Sequence, residues 1–203
     1  FLRVQIDAFG RDGIDWYGAD ASPEMLALAE AKAPNATLLV QDAQALEYKD
    51  GFFDAVCCNF AFHHFQDKPK AAAEIDRVLA PGGLIRLRNI APEAMPGWWV
   101  YRFFPAARQY DEVRFWSGGR LYRQFTELGY EVTIETKTKL FERSGKSLKE
   151  HARRRDISEF TGVSDVKYRQ GLAMIETMQD EKTVTDQFSN LVLTEIKDTI
   201  TFQ

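Results

Sequence analysis

The stretch Tyr17-Gly18-Ala19-Asp20-Ala21-Ser22-Pro23-Glu24-Met25-Leu26 decides how the rest of the chain is read. Residues 14–19 predict a short strand that ends at Asp20. Ser22 is a helix-capping residue type, Pro23 suits a first helical position, and Glu24 in the first turn meets the positive end of the helix dipole. The helix carries Met25, Leu26, Leu28 and Ala29 and stops near Pro34. In open α/β sheets, ligands bind at the carboxyl ends of strands. An acid standing between a strand and a capped helix is therefore a candidate ligand contact.

The same alternation extends outward from this unit. Residues 1–9 predict a helix closed by Gly10 and Gly13. Residues 36–40 predict a second strand and 53–58 a third, apolar on both faces apart from Asp54, as expected of a strand covered on both sides. Ile75, Val78 and Leu79 stand at helical spacing in residues 70–80. Pro81-Gly82-Gly83 then turns the chain into a strand over 84–90. Such alternation implies parallel strands joined by right-handed crossovers. The second half differs. Residues 91–116 are rich in aromatics and show no clear period; by resemblance to the family named below, this segment is expected to cover the substrate pocket. Residues 118–128 predict a helix, 131–141 a strand, 147–180 a helical insertion, and 188–196 a final strand. The fold expected is α/β, with a Rossmann-like, doubly wound, mostly parallel sheet and an antiparallel final strand. The domain layout expected is a single domain over 1–203: a ligand-binding half over 1–90, the lid over 91–116, and the rest of the sheet over 117–203.

The composition allows this. The 203 residues are 45% hydrophobic and 28% charged, an ordinary globular balance. A net charge of −4 gives no general pull toward nucleic acid. No apolar run approaches the roughly 20 residues of a membrane helix, so no membrane partner is expected. Cys57 and Cys58 are adjacent and point to opposite faces of a strand, which argues against a mutual disulfide and against a shared metal site. They read as buried fillers in a reducing cytoplasm, the expected location.

The residues that follow each strand carry the chemistry. A carboxylate at Asp20 can accept hydrogen bonds from both hydroxyls of a ribose. After the next strand, Asp42 can accept from an adenine amino group while the amide of Ala43 meets a ring nitrogen. Asn59-Phe60-Ala61-Phe62-His63-His64 follows the third strand, and Asn89 stands near the end of the fourth. His63 and His64 are general-base candidates only because imidazole titrates near neutrality. In nucleotide-binding sheets the ribose acid lies about 20 residues past a glycine-rich loop. Nothing in this chain reads as Gly-x-Gly. The expectation is therefore that this loop and its strand lie just upstream of Phe1, within about 40 further residues.

These segments resemble the class I S-adenosylmethionine-dependent methyltransferases, of the methyltransferase type 11-like group. The stretch 17–26 is similar to the family's second-strand motif. Gln41-Asp42-Ala43-Gln44-Ala45-Leu46 and Gly51-Phe52-Phe53-Asp54-Ala55-Val56 are similar to its next two segments. Phe62-His63-His64-Phe65-Gln66-Asp67 and Glu74-Ile75-Asp76-Arg77-Val78-Leu79-Ala80-Pro81-Gly82-Gly83 continue it in order. The resemblance covers residues 14–90 and weakens beyond about 142. It implies S-adenosyl-L-methionine as cofactor, with Asp20 and Ala21 at the ribose, Met25 near the adenine, Asp42 and Ala43 at the adenine edge, and Asn59 and Phe60 near the methionine portion.

The expected activity is methyl transfer to a small-molecule acceptor, gripped by Trp98, Trp99, Tyr101 and Tyr110 in the lid. The readings set against it are a non-catalytic binding subunit on the same fold, an RNA or protein methyltransferase, and a nicotinamide dehydrogenase. Arg86 and Arg88 share one face of their strand and are expected to pair with acids on the final strand, such as Glu195, in preference to an anionic substrate.

Overall fold

A computed structural model describes residues 1–10 and 12–197. Its first ninety residues follow the expected alternation: α1 (Leu2–Phe9), β1 (Tyr17–Asp20), α2 (Pro23–Lys32), β2 (Thr37–Val40), β3 (Phe53–Asn59), α3 (Lys68–Val78) and β4 (Leu79–Ile90). Local chemistry sets the helix starts. Ser22 Oγ accepts the amide of Met25 at 3.2 Å, and Asp67 accepts that of Lys70 at 3.0 Å. Each satisfies an amide that the first turn leaves without a helical partner.

The Pro81-Gly82-Gly83 turn lies inside β4. Phe53 pairs with Leu79 and Ala55 with Leu84, so the residues between Leu79 and Leu84 bulge out of the ladder. Gly82 has φ +78°, and a Cβ at Gly83 would stand 2.8 Å from the carbonyl oxygen of Ala80. Only glycine fits so close an approach.

Among the described residues, six strands form two sheets. β1 and β2 are a parallel pair, with Asp20 opposite Val40. The other sheet has the order β3-β4-β6-β5, with β5 over Ile134–Ser144 and β6 over Thr183–Ile196. β3 and β4 are parallel, and β6 runs antiparallel to both its neighbours, so the final strand has the expected direction. The second edges of β1 and β3 pair with no strand among the described residues. At the start of both strands the two sheets meet through aromatic rings. Tyr17 stands edge-on to Phe52 and Phe53, each at 5.4 Å, and Phe53 packs on Tyr48 at 4.7 Å.

One apolar cluster lies between the β3-β4-β6 face and the helices α3 and α6 (Gly118–Glu127), around Phe62, Leu87, Leu121, Phe125 and Leu193. A second joins α4 (Trp99–Phe103) and α5 (Pro105–Arg114) to α7 (Gly145–Arg154) and α8 (Asp165–Glu176), around Trp99, Phe104, Phe160 and Ile175. Residues 91–116, read as aperiodic, thus contain two helices. Apolar residues fall on several sides of them because they are packed on several sides.

Two other expectations are corrected. Only Cys58 is a buried filler, its thiol pushed up to about 12 by burial. Cys57 and Ala55 are exposed, so β3 is covered on one face only. Nor do Arg86 and Arg88 pair with Glu195. The register sets Glu195 opposite Ile85 and Arg86 opposite Thr194, which puts acid and arginine on opposite faces. Glu195 instead accepts the amide of Thr133. Among the described residues, no helix is long and apolar enough to cross a membrane.

Candidate active site

The ends of four strands supply the groups named from sequence. Asp20 is the last residue of β1 and is exposed. Its Oδ1 accepts the amide of Ser22 at 2.9 Å, which fixes the carboxylate above the start of α2. Ala21 lies between these two groups. Met25 sits in the first turn of α2 with 54% of its surface exposed, available as a wall rather than used as core.

Asp42 follows β2 and is exposed, with Ala43 beside it half-buried. Asp42 Oδ1 accepts the Gln44 amide at 2.9 Å, and the Gln44 side chain donates to both carboxylate oxygens at 3.0 Å. These bonds lower the Asp42 pKa, the side-chain bond most strongly. Gln44 also accepts the amide of Asp67 at 2.7 Å, tying this loop to the start of α3. Asp42 therefore shapes its own turn, and any adenine contact would share a carboxylate already oriented by Gln44.

At the end of β3, Asn59 is half-buried and Phe60 takes φ +54°. A bulky side chain in the left-handed region costs on the order of 1–3 kcal/mol, and such residues cluster at functional sites. Three contacts hold the bend. The Phe60 amide donates to Arg88 O at 2.8 Å, the Arg88 guanidinium lies 4.9 Å from the centre of the Phe60 ring, and that ring packs against the cluster around α4 and α5.

The bend feeds a short 3-10 turn, Phe62–His64. Phe62 is driven into the core against Trp116, at 5.5 Å. His63 turns inward and is buried, while His64 stays exposed. The His63 ring stacks on Phe115 at 4.0 Å and 18°, and the His64 ring lies 3.9 Å away. His63 Nδ1 lies 3.1 Å from Asn89 Oδ1 at the end of β4. Burial, followed by the charges of His64 and Arg114, pushes the His63 pKa down to about 3. Burial and then Arg114 lower that of His64, with Glu159 and Asp20 opposing.

Of the predicted lid aromatics, Trp98, Trp99 and Tyr101 are buried in the cluster around α4 and α5. Trp98 stands edge-on to Tyr101 at 4.9 Å and to Phe188 at 5.8 Å, a packing arrangement. Tyr110 remains half-buried, with the Arg114 guanidinium 4.4 Å over its ring.

Sequence reading missed a buried polar chain on α5. Tyr101 donates to Asp111 Oδ2 at 2.8 Å, and Arg114 donates to Asp111 Oδ1 at 2.8 Å. Asp111 is fully buried, and that burial raises its pKa to about 6 despite the arginine. An acid and an arginine three residues apart beside Tyr110 was the available signal, once the segment was known to be helical.

The sequence profile of a methyltransferase domain matches residues 4–87. The demethylmenaquinone methyltransferase of Thermus thermophilus is 45% identical over 84 residues, 39% of this chain and 38% of that protein. The chain thus spans well under half of that relative's length. Among solved structures, a putative methyltransferase from an antibiotic biosynthesis pathway of Anabaena variabilis superposes with a TM-score of 0.65 at 18% identity, over 92% of this chain and 84% of the other. A Haemonchus contortus N-methyltransferase, solved with phosphomonomethylethanolamine and S-adenosylhomocysteine, gives 0.56 at 19% identity, over 96% of this chain and 46% of that one. Residues 4–87 carry a methyltransferase-domain sequence, and the chain as a whole has the class I methyltransferase fold.

Proposed function

We propose that this protein transfers the methyl group of S-adenosylmethionine to a small-molecule acceptor, with the hydroquinone ring of a demethylmenaquinol-like compound as the first candidate. The observation that carries the reading is Asp20, exposed at the carboxyl end of a parallel strand and oriented by the Ser22 amide. A carboxylate so placed suits a ribose diol. Asp42 and the adjoining Ala43 amide suit the adenine edge, and Met25 offers an apolar wall. Asn59 ends β3 and Phe60 follows it, and the methionine portion would lie beside them. The 203 residues contain no Gly-x-Gly stretch.

The bound cofactor supplies a methyl group already activated as a sulfonium. The protein's remaining work is to hold the acceptor in line with that group and exclude water. The helical layer α4, α5, α7 and α8 supports exclusion, because its aromatics are buried together with Ile90 at the end of β4 and pack against Phe60 after β3. The choice of acceptor rests on the name of the Thermus relative and on the aromatic, cation-lined surroundings of His63.

The test is label transfer by the full-length protein. Radioactive methyl from S-adenosylmethionine should appear in reduced demethylmenaquinone and not in bulk RNA or casein. Label in RNA or protein alone would overturn the small-molecule reading.

A further inference from the structure

His63 carries a feature that cofactor binding does not require. The oxygen of an amide side chain can only accept, so the bond from His63 to Asn89 Oδ1 places the imidazole proton on Nδ1. Nε2 then bears a lone pair. That nitrogen is sealed from solvent and has no hydrogen-bond partner. Buried polar atoms are nearly always paired, so the bare Nε2 calls for an explanation, and an incoming hydrogen-bond donor supplies one.

The surroundings say what kind of group. The His63 ring, 6% exposed, is stacked on Phe115. Arg114 stands 5.1 Å from the centre of the Phe115 ring and is held there by Asp111. The charged and titratable groups acting on the ring are His64, Arg114 and Lys68. All three disfavour a second proton on it. An imidazole kept neutral in this way is a hydrogen-bond acceptor and a poor base.

We propose that His63 orients the methyl acceptor, its Nε2 accepting a hydrogen bond from an O–H or N–H beside the atom to be methylated, with Asn89 as the positioning residue that fixes the ring tautomer. This rests on the methyl-transfer reading above. The side chain takes the hydrogen bond and leaves the proton on the acceptor. The device selects hydroxylated or amino aromatic acceptors over their oxidised or fully alkylated counterparts, which have no hydrogen to donate.

The test uses the full-length protein labelled with 15N-histidine, with S-adenosylhomocysteine present to prevent turnover. The probes are 1,4-naphthohydroquinone, 1-naphthylamine and oxidised 1,4-naphthoquinone. At neutral pH His63 should show a protonated Nδ1 and a bare Nε2. The Nε2 resonance should move on adding the hydroquinone or the amine and stay in place with the quinone. His63→Phe should weaken hydroquinone binding at least tenfold and leave quinone and S-adenosylhomocysteine binding unchanged. His63→Gln, which keeps an acceptor atom, should lose less. Asn89→Leu should raise KM for the acceptor with little change in kcat. A proton on Nε2, equal responses to hydroquinone and quinone, no binding of either donor probe, or unchanged binding in His63→Phe would each overturn the proposal. Failure to bind S-adenosylhomocysteine would instead count against the methyl-transfer reading, because the tautomer and probe measurements do not depend on it.

Discussion

Phe60 shows how one residue can set a site. It takes a left-handed backbone just after β3, and the next turn puts Phe62 and His63 inside and His64 outside. The buried groups beside it make opposite contributions to stability as pH changes. The His63 pKa is lowered to about 3 from 6.5. Its contribution is present above pH 6.5 and is lost as pH falls toward 3, because the unfolded chain takes up the proton first. The Asp111 pKa is raised to about 6 from 3.8. Its contribution is full below 3.8 and is lost as pH rises through 6. His63→Phe should therefore lose less stability than the parent on acidification. The gap in unfolding free energy between the two should narrow by up to about 2 kcal/mol from pH 7.5 to 5.0, at roughly 1.36 kcal/mol per pH unit below 6.5. Urea unfolding at the two pH values measures this, and parallel pH dependences would contradict it. The sequence made Asp20 and Asp42 readable because each follows a strand and shapes its own local turn. The His63–Asn89 pair was not readable as a pair. Its members are 26 residues apart and meet only because β3 and β4 are neighbours.

At the scale of elements, the Ser22 cap foretold α2 and periodicity foretold α3, which buries Ala72, Ile75 and Val78. α4 and α5 escaped because their surroundings are apolar on several sides and the period is blurred. Their docking depends on close approach. Gly171 of α8 faces Phe104, and a Cβ there would stand 2.4 Å from that ring and 2.5 Å from Phe103 O. Backbone cannot yield as a flexible side chain can, so Gly171→Ala should cost about 1–3 kcal/mol. For a chain of this length that is a fall in Tm of roughly 2–12 °C. A differential scan of the variant checks it, and an unchanged Tm would show that the helical layer is loosely packed. Gly119, where nothing lies within 4 Å of an added Cβ, serves as the control.

Across the whole molecule, the strand directions were legible but their assembly was not. Alternation of helix and strand announces parallel pairing, and β1-β2 and β3-β4 obey it. That the strands form two sheets, with open edges on β1 and β3, depends on which strands meet in space. The exposed apolar side chains of Leu39 and Val40 on β2 are a property of this arrangement. On the proposed function, the carboxyl ends of β1 and β2 hold an adenosine. Calorimetric titration of the full-length protein with S-adenosylhomocysteine tests it most directly, alongside Asp20→Ala. Saturable binding is expected, weakened by more than tenfold in the variant, with the fold intact by circular dichroism. Equal dissociation constants for the two proteins, or no binding at millimolar ligand, would contradict it.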